Sequence, residues 1–212
     1  MKKIILMFAV VSLMAGKINA QEKETDYREK PQFGLKIGMN ISNVYDSKGE
    51  DFKADGKFGL ALGAFGEIPI GKYLGIHPEI LFSQKGFKAT GKILGSTYDF
   101  TRTTNFIDVP ILVTLKPSEF LTIMAGPQYS YLIKQTDVFA NATTSIAQEQ
   151  EFVNENIRKN LFCFTGGLDI NIEHFVISLR AGWDITNNNG DGTATTPRYK
   201  NVWYQGTVGY RF

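Results

Sequence analysis

The chain has 212 residues, with 23 basic and 21 acidic side chains, two histidines and a single cysteine, Cys163. One cysteine excludes an internal disulfide, so packing and backbone pairing must hold the folded chain together. This length is suited to one all-β domain.

The N-terminal residues have the pattern of an export signal. Lys2 and Lys3 precede an apolar stretch at 4–15, and Ile18-Asn19-Ala20 offers a small-residue cleavage site. The apolar stretch is too short to cross a bilayer as a helix, which takes about 20 residues. We therefore predict a cleaved signal peptide at 1–20, a periplasmic lead at 21–32 and one domain at 33–212.

Removal of this signal changes the charge of the chain. Three lysines leave with it, so that 20 basic and 21 acidic residues remain. The net charge then falls from +2 to −1, and bulk charge gives no reason to expect nucleic-acid binding.

Two-residue alternation of apolar and polar side chains predicts eight strands, each close to the 9–11 residues of a tilted transmembrane strand. They lie at 33–42, 57–68, 74–85, 106–115, 121–133, 161–172, 175–183 and 202–212. Short connections (69–73, 116–120, 173–174) alternate with long ones (43–56, 86–105, 134–160, 184–201). This alternation is typical of outer-membrane barrels. The sequence thus predicts an all-β fold, an eight-stranded antiparallel up-and-down transmembrane β-barrel.

The two faces of these strands differ in polarity. One row is free of charge and carries residues such as Leu35, Ile37, Ile111, Phe162 and Leu179, which we assign to the lipid face. The opposite row holds the ionisable residues that we expect inside as a network of ion pairs and hydrogen bonds. These are Lys36, Glu67, His77, Glu79, Lys85, Asp108, Asp169, Arg180, Asp184 and Arg211.

Such a charged row is unsuited to the core of a soluble barrel, because an isolated buried charge costs several kcal/mol. Side chains nearly fill the small interior of eight strands, so we expect a plugged barrel. The alternatives are a narrow diffusion channel and a soluble secreted binding barrel with an exposed charged face.

Two prolines fall inside predicted strands. Pro78 and Pro110 each remove a ladder hydrogen bond, and a closed barrel has no edge strand to hold them. We therefore predict bulges at both positions.

In the last strand, aromatic and apolar residues recur at every second position and form one row. Tyr204, Val208, Tyr210 and Phe212 form this row, which we interpret as a C-terminal assembly signal for the barrel-assembly machinery.

Several segments together resemble the PorT-like outer-membrane β-barrel family of Gram-negative bacteria. They are FGLKIGMNISN at 33–43, GEIPI at 66–70, HPEILFSQ at 77–84, IDVPI at 107–111, AGP at 125–127 and VGYRF at 208–212. The resemblance implies outer-membrane residence. Some relatives support protein secretion or maturation across the cell envelope, and most have no assigned activity.

No motif for catalysis, metal binding or cofactor binding stands out. His77 lies near Glu79 and Arg180 near Asp169 or Asp184, and for both we favour structural roles over chemistry. His174 falls in a short turn. We expect no cofactor, no metal and no enzyme activity, with a lipid-modifying enzyme as the alternative. As partners we expect outer-membrane lipid and envelope or secretion proteins, with the chain itself a monomer.

Overall fold

The computed structural model describes residues 26–45, 53–93, 96–141, 145–150, 157–190 and 198–212. The predicted signal peptide and the first part of the lead fall outside these ranges. A short 3₁₀ helix, Tyr27–Glu29, precedes nine strands. They are β1 Gln32–Tyr45, β2 Lys53–Pro69, β3 Leu74–Ile93, β4 Ser96–Leu115, β5 Leu121–Asn141, β6 Ser145–Gln150, β7 Asn160–Ile172, β8 Phe175–Asp184 and β9 Lys200–Arg211.

Eight of these strands close into an antiparallel barrel. Each pairs with its neighbour in the chain, β5 pairs with β7, and β1 pairs with β9 to complete the circle. The predicted fold class is therefore confirmed. In the part of the chain that is described, no helix has the length and apolar character needed to traverse a membrane.

The wall is inverted relative to a soluble protein. None of the residues assigned to the lipid face is buried, and most are exposed, whereas Asn40, Ser83, Thr114 and Ser130 on the other face are almost fully buried. A row of exposed aromatic side chains marks each end of the apolar band, as is usual at membrane interfaces. Phe33, Phe175 and Tyr210 lie at the short-turn end, and Phe58, Phe162, Trp183 and Tyr204 at the other.

The strands at the long-loop end extend further than the sequence pattern predicts. β3 and β4 stay paired from Lys85 opposite Thr104 as far as Ile93 opposite Ser96, so most of the predicted loop at 86–105 is paired strand. Similarly, β5 continues to Asn141 and pairs with the additional strand β6. The prediction of long connections at 86–105 and 134–160 was wrong for the residues that are paired, because backbone pairing continues beyond the apolar alternation of the sequence.

The predicted bulges at Pro78 and Pro110 are also wrong. Pairing continues in one register past both prolines, from Pro78 opposite Ile111 to Leu81 opposite Asp108, and from Pro110 opposite Gln128 to Val113 opposite Ala125. The prolines interrupt the ladder without inserting a residue. The register shifts elsewhere, at Gly56/Ala61 and at Asn105/Phe106.

Candidate functional site

The barrel interior is the candidate site, because the ten predicted interior residues all have buried side chains there. Their contacts form successive layers along the barrel axis. We follow them from the short-turn end, which outer-membrane barrels direct to the periplasm, to the long-loop end.

Glu67 is the centre of the layer nearest the periplasmic end. Its carboxylate lies 3.1 Å from His77 Nδ1, accepts a hydrogen bond from Thr114 Oγ1 at 2.9 Å, and lies 3.1 Å from Lys116 Nζ. Strands β2, β3 and β4 bring these residues together because their registers place them side by side on the inner face. Lys116 was missed in the sequence because it follows the last residue of β4, where we predicted only a turn.

Arg211 belongs to the same end but has a different kind of environment. Its guanidinium donates to Gln32 Oε1 at 2.9 Å, to Asn171 Oδ1 at 3.3 Å and to the Glu173 carbonyl at 2.6 Å. Among the described residues, no carboxylate lies within 4 Å of it. Neutral acceptors therefore satisfy this cation.

The middle layer is a compact group of four charged residues. Glu79 Oε1 lies 2.6 Å from Lys36 Nζ and 3.4 Å from Arg180 Nη2, and His77 Nε2 approaches it to 3.0 Å. Arg180 also donates to Asp169 Oδ1 at 2.7 Å. Of the two partners considered for Arg180, the structure selects Asp169, while Asp184 lies in the layer above. These pairs span β1, β3, β7 and β8, so they connect opposite walls of the barrel.

The third layer mixes charge with aromatic rings. Lys85 Nζ lies 3.0 Å from Asp108 Oδ2, 3.6 Å from the centroid of the Trp203 ring and 4.9 Å from that of Phe106. Trp203 fits because Gly182 leaves room for its ring, since a Cβ at that position would come within 2.4 Å of it. The interior is thus partly apolar here, which the alternation of the sequence did not predict.

Asp184 and Cys163 lie beside that layer. Cys163 Sγ donates to Asp184 Oδ1 at 3.1 Å, and Asn201 donates to Asp184 Oδ2 through its backbone and its side chain. The second contact partner of the thiol is Ser130 Oγ at 3.4 Å. Hydrogen bonds therefore hold this carboxylate, and the sulfur is enclosed.

The outermost layer lies in the residues of β3, β4 and β5 beyond the predicted strands (86–93, 96–105 and 134–141), which we call the extension. The sequence pattern did not predict this layer. Arg102 of β4 and Asp137 of β5 form a two-point ion pair with both nitrogen-oxygen distances at 2.8 Å. The Tyr199 hydroxyl contacts the same guanidinium at 3.3 Å. Both charged residues fall in predicted connections, 86–105 and 134–160. The β-branched threonines around Arg102, at positions 101, 103 and 104, were the available signal, since such residues favour strands.

The four residues of the predicted assembly signal face away from the interior. Tyr204, Val208, Tyr210 and Phe212 are all exposed on the lipid side of the barrel. His174, in the turn between β7 and β8, stacks on Tyr210. Recognition of this strand by an assembly machinery remains a prediction.

A closed strand wall with an apolar outside and an ion-paired inside defines an integral outer-membrane β-barrel. Residues 19–189 match the model of the family described as outer membrane protein beta-barrel domain, and the chain belongs to that family. Its location is the outer membrane.

Solved structures of bacterial outer-membrane proteins are similar to the chain in fold. The attachment invasion locus protein Ail of Yersinia pestis is 15% identical, with a TM-score of 0.47 over 86% of this chain and 99% of that one. OprG of Pseudomonas aeruginosa is 13% identical, with a TM-score of 0.39 over 87% and 97%. The protease OmpT of Escherichia coli is 8% identical, with a TM-score of 0.40 over 91% and 100%. A search of curated proteins found no match. These similarities are too low to transfer an activity.

Proposed function

We propose that the protein is a plugged, monomeric barrel that conducts no solute and acts as a membrane scaffold. It presents its extracellular sheet to partners in the envelope or outside the cell. The stacked ion pairs across the interior, above all the group around Glu79, are the observation that carries this proposal.

The interior contacts support the absence of a pore. A water-filled channel needs a continuous open path. Here the side chains of Lys36, Glu79 and Arg180 meet across the middle of the barrel, with nitrogen-oxygen distances of 2.6 to 3.4 Å. Trp203, Phe106 and Leu132 are packed together above them. This packing argues against the diffusion-channel alternative.

The extension supports a role in interaction. β3 and β4 continue eight residues beyond Lys85 and Thr104, which is roughly 26 Å of paired strand at about 3.3 Å per residue. Arg102, Asp137 and the cluster of Phe87, Ala89 and Tyr199 give this sheet a packed inner face of its own. A paired and packed sheet that extends beyond the membrane is suited to contact with other proteins.

The resemblance to the PorT-like family refines the proposal. We infer that the partners belong to the protein secretion or maturation machinery of the envelope. The refinement rests on the segments at 33–43, 66–70, 77–84 and 107–111, which in the structure lie almost entirely within β1 to β4.

We further propose that the protein is not an enzyme. His77, the histidine inside the barrel, faces a carboxylate with each ring nitrogen and is buried. Those contacts support a structural role. A lipid-modifying enzyme would instead need an exposed reactive group near the membrane surface.

Two experiments test this function. Purified protein in planar bilayers should give no discrete conductance steps under conditions in which a general porin gives them, and regular steps would refute the plugged barrel. A chain in which 88–101 is replaced by Asn-Gly keeps the pairing of Phe87 with Arg102. It should reach the outer membrane yet reproduce the extracellular protein profile of a deletion strain. Full complementation by this shortened chain would refute the role of the extension.

A further inference from the structure

The short segment before β1 folds over the periplasmic end of the barrel. Asp26 caps the 3₁₀ helix by accepting from the Arg28 backbone N–H, and its carboxylate also binds the Arg28 guanidinium and Lys72. Arg28 lies 5.5 Å from the centroid of the Tyr73 ring and 4.0 Å from Glu119. The segment therefore contacts two of the three short turns. We call residues 26–31 the strap.

The strap is also attached to the interior. Lys116 Nζ donates to the Arg28 carbonyl at 2.8 Å, and Gln32 Nε2 donates to the Tyr27 carbonyl at 2.7 Å. The guanidinium of Arg211 lies 5.5 Å from the centroid of the Tyr27 ring. The inner side of the strap thus rests on the two cations that end the interior network.

A small cavity lies beneath the strap. Its volume is about 30 Å³, and Tyr27, Glu67, His77, Thr122 and Asp169 are among its lining residues. Polar side chains line part of this cavity, which has room for about two water molecules. On the far side, the middle layer of Lys36, Glu79 and Arg180 closes the barrel.

We propose that the strap is a detachable periplasmic seal. It covers the cavity that Glu67 and His77 line, and it can leave while the barrel stays folded and the middle layer stays in place. The barrel then has two seals in series. The strap is the outer seal, and the middle layer is the inner seal, which blocks passage even when the strap is open.

The difference in burial between the two seals supports this proposal. No residue of the 3₁₀ helix is buried, and Lys72 and Glu119, which hold it from outside, are exposed. Exposed ion pairs contribute little to stability and are screened by salt. Lys36, Glu79 and Arg180 are buried, so solvent and salt do not weaken their contacts in the same way. Opening of the strap is therefore a local event.

A cysteine reporter in the cavity tests the strap. In the full-length protein carrying Cys163→Ser and Thr122→Cys, we would measure the rate of maleimide labelling in detergent and in liposomes. Tyr27→Ala with Arg28→Ala should accelerate labelling about tenfold or more, because the covering contacts are lost. The matched control is Lys30→Ala, an exposed residue of the strap whose side chain takes no part in the contacts described above.

Two further measurements keep the outcome interpretable. The strap variant should keep the heat-dependent gel mobility of a folded barrel, and it should remain silent in planar bilayers. Equal labelling rates in the strap variant and Lys30→Ala would overturn the proposal, as would faster labelling accompanied by loss of the folded mobility. The proposed scaffold function concerns the inner seal and fails separately, through conductance of the unaltered chain.

Discussion

Glu79 is the carboxylate at which three interior cationic or basic groups meet. Lys36, His77 and Arg180 all approach its Oε1 within 3.4 Å, and both Lys36 and Arg180 are buried with it. Removal of its charge takes the ion-pair partner from Lys36 and leaves Arg180 with Asp169. A single neutral substitution should therefore disturb the whole middle layer.

We predict that Glu79→Gln lowers the free energy of unfolding by about 3–5 kcal/mol, the cost of breaking a buried ion pair by removing one partner. Guanidinium unfolding in lipid vesicles measures it. Glu119→Gln is the matched control, because this carboxylate is 58% exposed and its pair with Arg28 is worth at most about 1 kcal/mol. A change at Glu79 no larger than that at Glu119 would contradict the ion-pair layer.

The two tryptophans occupy opposite sides of the wall. Trp183 is exposed on the lipid face, whereas Trp203 is almost fully buried inside against Lys85. We predict that brominated lipid chains quench the fluorescence of Trp203→Phe, which retains Trp183, and leave that of Trp183→Phe nearly unchanged. The reverse result would show that the faces are assigned wrongly.

Among the elements, the strap is the one whose attachment to the barrel should depend on pH. A side-chain hydrogen bond from Arg28, with further help from Lys72, holds the pKa of Asp26 well below its usual range. A carboxyl with a lowered pKa stabilises the folded form above its ordinary pKa, and this contribution is lost as the pH falls through the lowered value.

The strap should therefore stay closed from neutral pH down to about pH 4 and open only in stronger acid. The Thr122→Cys reporter measures this with an aromatic disulfide reagent, when the rate is normalised at each pH to that of the unfolded chain. Asp26→Asn should label faster than the parent already at neutral pH, because its ion pair with Lys72 is lost. If Asp26→Asn labelled as slowly as the parent at neutral pH, Asp26 would not be holding the strap.

The strands also show how far the sequence could be interpreted. Alternation identified all eight barrel strands and the lipid face, because the membrane imposes opposite polarity on successive side chains. Beyond the membrane this constraint ends, so Arg102 and Asp137 in the extension looked like loop residues. The strap was not predicted either, since its contacts join Arg28 to turns about 45 and 90 residues away in the sequence.

The prolines illustrate a different limit. We expected that each lost hydrogen bond would require a bulge, yet the ladder continues past Pro78 and Pro110 in register. Neighbouring pairs on both sides hold the strands in place. The rule that a proline inside a strand requires a bulge therefore overestimates the disturbance in a closed sheet.

At the level of the whole molecule, the height of the apolar band determines which bilayer thickness suits the barrel. On β1 it extends from Phe33 to Ile41, which is roughly 20 Å in height for strands tilted about 40°. We predict more complete refolding into vesicles of 12-carbon lipids than into those of 18-carbon lipids, since mismatch has a cost. Heat-dependent gel mobility measures the folded fraction, and equal yields in both lipids would contradict this thickness.

Cys163 is the single cysteine of the chain, and its sulfur is enclosed between Ser130 and Asp184. A reagent added to the unaltered protein reaches this atom only after the wall has come apart. The adduct count by intact mass is then zero for a closed molecule and one for an opened molecule. The rate at which Cys163 is labelled therefore reports the lifetime of the folded barrel, with no engineered probe.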